Sequence, residues 1–204
     1  SVPADMVVAQ IDSVVSDIGV DAVKIGMIGS AETAHAVAGR LESLSVPIVF
    51  DPVMVATSGA VLADAATIAA FERLMRLASV VTPNLPELEA LGGEEAILAH
   101  GCHLLAKGGH AEGYWIVDRL LSPSGPLHHL QAKRFDTEDT HGTGCTLASA
   151  LACGLGAGLP IRKAFEQAIR FVRLAILEAP GLGQGCGPLG HQFVTDFQWE
   201  EPED

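Results

Sequence analysis

Positive charge and cysteine are both scarce in this sequence, and long apolar runs are absent. Its 12 Lys and Arg residues face 25 Asp and Glu residues, for a formal net charge of -13. The resulting field repels polyanions, which argues against nucleic acid as a partner. The four cysteines, Cys102, Cys145, Cys153 and Cys186, form no CxxC pair and show no zinc-site spacing, and no charged-then-apolar leader opens the chain. A reducing, cytoplasmic setting follows as the expectation. Apolar stretches are broken by Asp, Lys or Gly well before the ~18 residues of a membrane span, so no membrane partner is expected. The phosphate-binding string GxxxxGK[ST] and the dinucleotide fingerprint GxGxxG are also missing. None of this bars a small phosphorylated ligand, because a few focused amides and one lysine can hold a phosphate inside an acidic protein.

What is present is 49% hydrophobic residues over 204 positions, enough for one large α/β core. Helical and strand patterns alternate along the chain. Val7, Val8, Ile11, Val14, Val15 and Ile18 recur at helical spacing, and "DAVKIGM" follows as a strand. A helix over Glu32 to Leu44, the strand "VPIVFDP", a helix over Asp64 to Ala78 and the strand "SVVTPN" come next. Beyond them, "HLLAKGG" reads as a strand, "YWIVDRLL" and "LHHLQAKRF" as a hairpin around "SPSG", and Ile161 to Ala179 as the last helix. Near-continuous apolar strands alternating with helices predict a mostly parallel central sheet flanked by helices on both faces. The stretch from Gly92 to His103 is short for a helix with its turns and predicts an internal gap. The final "QWEEPED" reads as an acidic tail over 196–204.

In such folds ligands sit beyond the carboxyl ends of the strands. Those ends here read Gly26-Met27, Asp51-Pro52-Val53, Thr82-Pro83-Asn84 and Lys107-Gly108-Gly109-His110. The second concentration of polar and glycine residues is "DTEDTHGTGCTLASALACGLGAG" (Asp136 to Gly158), where Leu147, Leu151 and Leu155 mark one face of a helix. Gly142 and Gly144 therefore stand at a helix N-terminus, where unpaired amides and the dipole attract an anion. A tight turn chosen for positive φ is the plainer alternative. A GxGxxxA variant at Gly142, Gly144 and Ala148 lies too late in the domain for a dinucleotide fold.

The motifs "VKIGM", "DPVMVATSG", "TPNLPELEAL", "KGGH", "DTHGTGCT" and "APGLGQGCGPLGH" resemble those of the hydroxymethylpyrimidine/phosphomethylpyrimidine kinases of thiamin biosynthesis, in the ribokinase-like superfamily. The resemblance runs from about Val2 to about Phe193 and implies a single three-layer ribokinase-like domain over 1–204, without the family's amino-terminal segment. It also implies transfer of a phosphoryl group from ATP, with Mg2+, to a hydroxymethyl aminopyrimidine and then to its monophosphate, in a homodimer.

On that resemblance, Gly142, Thr143, Gly144 and Cys145 form the catalytic turn whose amides face the moving phosphoryl. Cys145 stands where most ribokinase-like enzymes carry an aspartate base and where the resemblance to the pyrimidine kinases implies a cysteine; a helix N-terminus favours the thiolate, and a buried hydrophobe is the alternative. Lys107, Asn84 and Thr140, with Gly142 and Gly144, are the expected ATP-binding residues. Asp51 and Glu87 are expected on the metal side, against plainer roles as turn or first-turn carboxylates. Met27, Val53 and Cys145 are expected to touch the pyrimidine, with core filling as the alternative for Met27 and Val53. His110 and His141 are expected to orient backbone, and the "ATSG" loop and the segment after Gly92 are lid candidates. Ile169 occupies a position where the resemblance implies a basic residue, for which Arg170 or Arg173 would substitute. Pyridoxal kinase activity and non-catalytic pyrimidine binding are the competing readings.

Overall fold

The computed structural model describes residues 2–56, 59–109, 113–195 and 197. Its elements are α1 (Ala4–Asp17), β1 (Val23–Ile25), α2 (Ala31–Leu41), β2 (Ile48–Phe50), α3 (Ala65–Leu77), β3 (Val80–Val81), α4 (Leu85–Ala90), α5 (Gly93–Leu98), β4 (His103–Ala106), β5 (Trp115–Ser122), β6 (Gly125–Lys133), α6 (Thr143–Gly156) and α7 (Ile161–Leu177), followed by a 3-10 turn at His191–Phe193. The strands lie in chain order in one sheet. β1 to β4 are parallel, and β5 and β6 form the predicted antiparallel hairpin at one edge.

Alternation along these short strands assigns each side chain to one of two cores. Ile48, Phe50, Val81, Leu104, Ala106 and Leu121 point into one, beneath α1 to α5. Val49, Val80, Leu105 and Leu120 point into the other, beneath α6 and α7. The helices connecting β1 to β4 thus cover one face, leaving the opposite face to α6 and α7. All loops that follow β1 to β4 open at one end of the sheet, and α6 begins at that same end.

Local chemistry sets the helix starts. Ser30 caps α2 by accepting from Thr33 N–H at 3.1 Å, and Asp64 caps α3 by accepting from Thr67 N–H at 2.8 Å, each satisfying a donor that the first turn leaves free. The stretch between Gly92 and His103, short for a helix with its turns, holds a short helix. α5 occupies six residues of that stretch, and the chain turns at Gly101 (φ +86°) directly into β4.

Ile169 is also corrected: it is buried in the second core with Phe165, Ala168 and Val172. Arg170 lies over the Phe197 ring, and Arg173 lies over the Phe135 ring while donating to Lys133 O. Their ring and backbone partners are on the hairpin side and the carboxy-terminal segment. His110, Thr57, Ser58 and nearly all of the acidic tail lie outside the described residues.

Phe71 is fully buried and meets Phe50 edge to face, with centroids 5.1 Å apart. Phe71→Ala is expected to cost about 3–5 kcal/mol in urea unfolding; a loss near the ~0.5 kcal/mol typical of surface sites would contradict this packing.

Candidate active site

Three strand ends and two helix starts meet at one lysine. Lys107 follows β4, and its Nζ lies 2.7 Å from Asp51 Oδ1, just past β2, and 3.9 Å from Glu87 Oε2 in α4. Thr82, just past β3, donates its hydroxyl to the same Asp51 oxygen at 3.2 Å. Asp51, Thr82 and Glu87 are buried, and the lysine side chain is 12% exposed. Charges this far from water persist only when paired and hydrogen-bonded, which this arrangement provides.

Asn84 and Glu87 form a reciprocal capping box at α4. Glu87 N–H donates to Asn84 Oδ1 at 2.9 Å, and Asn84 N–H donates to Glu87 Oε2 at 2.8 Å. Backbone pairing of Asn84 with Lys107 locks that box to the end of β4. Burial raises the Glu87 carboxyl above its ordinary value, with Lys107 and the Asn84 amide partly offsetting the rise.

Gly108 continues the same wall. Its N–H donates to Asp118 Oδ1 at 2.8 Å, and a Cβ at this position would stand 2.2 Å from Val117 O, so no side chain fits. Burial raises the Asp118 carboxyl, against the Gly108 amide and the Lys107 charge.

α6 starts differently from α2, α3 and α4. Its N-cap, Gly142, has φ +86° and supplies no side-chain acceptor, so the first-turn amides of Gly144 and Cys145 have no capping oxygen. Lys107 Nζ lies against this turn: a Cβ on Gly144 would come within 3.3 Å of it. A positive helix end and an ammonium are thereby brought together beside an exposed thiol, Cys145.

Of the residues predicted from sequence, Asp51, Asn84, Glu87, Lys107 and Gly144 share one cluster, with Gly142, Thr143 and Cys145 on the adjoining turn. Thr140 is exposed two residues before that turn. Val53 is half-buried in the loop after Asp51, and Met27 is 59% exposed beyond β1, which removes core filling as an account of Met27. His141 pairs its backbone with Pro188. Sequence reasoning placed Thr82 at a strand end without giving it a role, and passed over Asp118 and the partners of the carboxy-terminal segment. Asp118 carried no signal, being one polar residue in an alternating strand.

The phosphomethylpyrimidine kinase family model matches residues 1–190. The chain belongs to the phosphomethylpyrimidine kinase family. It is 44% identical to the hydroxymethylpyrimidine/phosphomethylpyrimidine kinase of Rhizobium meliloti, over 93% of this chain and 77% of that protein. It is 40% identical to a thiamine biosynthesis multifunctional protein of Corynebacterium efficiens, over 95% of this chain but 28% of that longer protein. Among solved structures, a Staphylococcus aureus pyridoxal kinase in complex with AMP-PCP aligns with a TM-score of 0.84 at 28% identity, covering 98% of this chain and 78% of that one. A phosphomethylpyrimidine kinase from Clostridium difficile aligns with a TM-score of 0.70 at 31% identity, covering 86% of this chain and 78% of that one. These similarities bear out the ribokinase-like α/β fold expected from the sequence.

The raised Glu87 carboxyl makes a pH prediction. The folded state holds that proton more tightly than the unfolded chain, so its contribution to stability falls as pH rises from about 4.5 through the raised value. Glu87→Gln keeps an acceptor for Asn84 N–H and removes the titration. Urea unfolding across this range is expected to show the native protein losing stability relative to the variant; parallel profiles would contradict the buried carboxyl.

Proposed function

We propose that this chain is a kinase unit that transfers the γ-phosphoryl of ATP to the hydroxymethyl group of 4-amino-5-hydroxymethyl-2-methylpyrimidine, and then a second phosphoryl to the monophosphate, in thiamin biosynthesis. One observation carries the reading: the Lys107 ammonium lies against Gly144 at the uncapped start of α6, next to exposed Cys145. Phosphoryl transfer demands little covalent work from a protein beyond alignment and stabilisation of spreading charge. Lys107 and the amides of Gly142 to Cys145 supply that stabilisation, with Thr140 and Asn84 lining the nucleotide side.

In the first transfer the substrate hydroxyl oxygen bonds to the γ-phosphorus, the bond to the bridging oxygen breaks, and ADP leaves. Cys145 Sγ takes the hydroxyl proton. In the second transfer the acceptor is a phosphate oxygen already anionic near neutral pH, so the thiol matters less. Met27 and Val53 contact the pyrimidine ring, and a reducing, cytoplasmic compartment keeps the thiol available. Assembly as a homodimer belongs to the same reading.

Asp51 and Glu87 suit a hard cation. Two buried carboxylates share one ammonium, leaving surplus negative charge. Magnesium retains several of its own waters and so takes one or two protein carboxylates, which these two residues supply. When bound, magnesium would neutralise charge on the nucleotide phosphates.

Pyridoxal phosphorylation is the second reading, favoured by the higher TM-scores with pyridoxal kinases; the higher sequence identity with the pyrimidine kinases favours the first. ADP release measured with the pyrimidine, its monophosphate and pyridoxal separates them. Both pyrimidines are expected to turn over faster than pyridoxal, with Cys145→Ala slowing the first transfer roughly 10²–10⁴-fold and the second less. Turnover of pyridoxal alone, or pyrimidine binding without ADP release, would overturn the proposal.

A further inference from the structure

The glycine-rich turn before α6 has little intrinsic rigidity, since Gly142 and Gly144 constrain the backbone weakly and no side chain caps the helix. Besides local bonds such as Thr146 N–H to Gly142 O, it is contacted by a segment more than forty residues further along the chain. Residues 187–191, "GPLGH", are first anchored to α7. Leu189 is buried, and Gly190 N–H donates to Ala175 O at 2.8 Å. A Cβ on Gly190 would lie 1.8 Å from Glu178 O, so the segment seats directly on the end of α7. From that anchor it reaches the catalytic turn on both sides. His141 N–H donates to Gly187 O at 3.1 Å just before Gly142. A 2.8 Å hydrogen bond joins His191 Nε2 and Thr146 Oγ1 just after Cys145, and the His191 ring stands 6.3 Å from that of Phe171.

We infer that Gly187–His191 braces the phosphate-facing turn, and that His191 is a positioning residue which fixes Thr146 and, through it, the amides of Gly144 and Cys145. His191 touches no reacting atom in this account; it acts through the Thr146 hydroxyl. The inference rests on the reading of that turn as the phosphoryl-binding element. Misplacing a group that aligns reactants by even an ångström is costly to rate, so the brace should appear in nucleotide binding and kcat rather than in pyrimidine binding.

The test is a double-mutant cycle on the whole chain with His191→Ala, Thr146→Val and both together, plus His191→Gln, which retains a hydrogen-bonding group. Each is assayed for kcat, KM for ATP, KM for the pyrimidine, ADP affinity by calorimetry and Tm. The expected result is a loss of about tenfold in kcat/KM for ATP in either single variant, no further loss in the double, substantial rescue by His191→Gln, and an unchanged pyrimidine KM. Additive losses, no change in kcat/KM and ADP affinity, or an equal fall in every affinity together with Tm would overturn it. If the native chain releases no ADP with any acceptor, the proposed activity is what fails, and ADP affinity across the same variants still decides the brace.

Discussion

The ion pair between Lys107 and Asp51 is the contact around which the functional end of this protein is built. Desolvating a lysine and two carboxylates is expensive, and removing one partner of such a buried group typically costs about 3–5 kcal/mol because the remaining charge is stranded. The molecule meets that cost with four elements at once. β2 delivers Asp51, β3 delivers Thr82, α4 delivers Glu87, and β4 delivers the lysine. Asp51, Thr82 and Lys107 meet only when the sheet is in register, so sheet pairing and the charge cluster specify one another. The lysine also presents its ammonium to the start of α6, joining the first face of the sheet to the second.

Glu87 shows how structural and chemical roles coincide. As the third residue of a capping box it fixes the start of α4, and as a buried carboxylate it faces Lys107. Of the two roles weighed from sequence, the capping box shows the first-turn carboxylate, and the metal-side role belongs to the proposed function. Gly108 is similar: sterically confined by Val117, it uses its amide to hold Asp118, which aligns the β5–β6 hairpin against the end of β4.

The alternation of β1 to β4 with α1 to α3, the hairpin and the two long carboxy-terminal helices were legible in the sequence because each carries either a sustained apolar period or a turn signal. α4 and α5 were not, being six residues each and held by tertiary packing and an Asn84 cap rather than by amphipathic repeats. The approximate site was legible because strand ends in parallel sheets converge. What the sequence could not show was which of those polar residues pair. Ile169 illustrates the limit: motif alignment placed it toward phosphates, whereas the apolar stripe of α7, with Phe165, Ala168 and Val172, carries it into the core. The brace from His191 to Thr146 spans 45 residues with no periodic signal to announce it.

The most direct test of the central claim is ADP affinity, measured by calorimetry without added metal, for the native chain and for Lys107→Met. Lys107→Met combined with Asp51→Asn relieves the stranded carboxylate, and circular dichroism confirms the fold. If Lys107 and the start of α6 form one phosphate-holding unit, both variants bind ADP about 10- to 100-fold more weakly, the loss expected for a charged hydrogen bond. Unchanged ADP affinity in either folded variant would contradict the account.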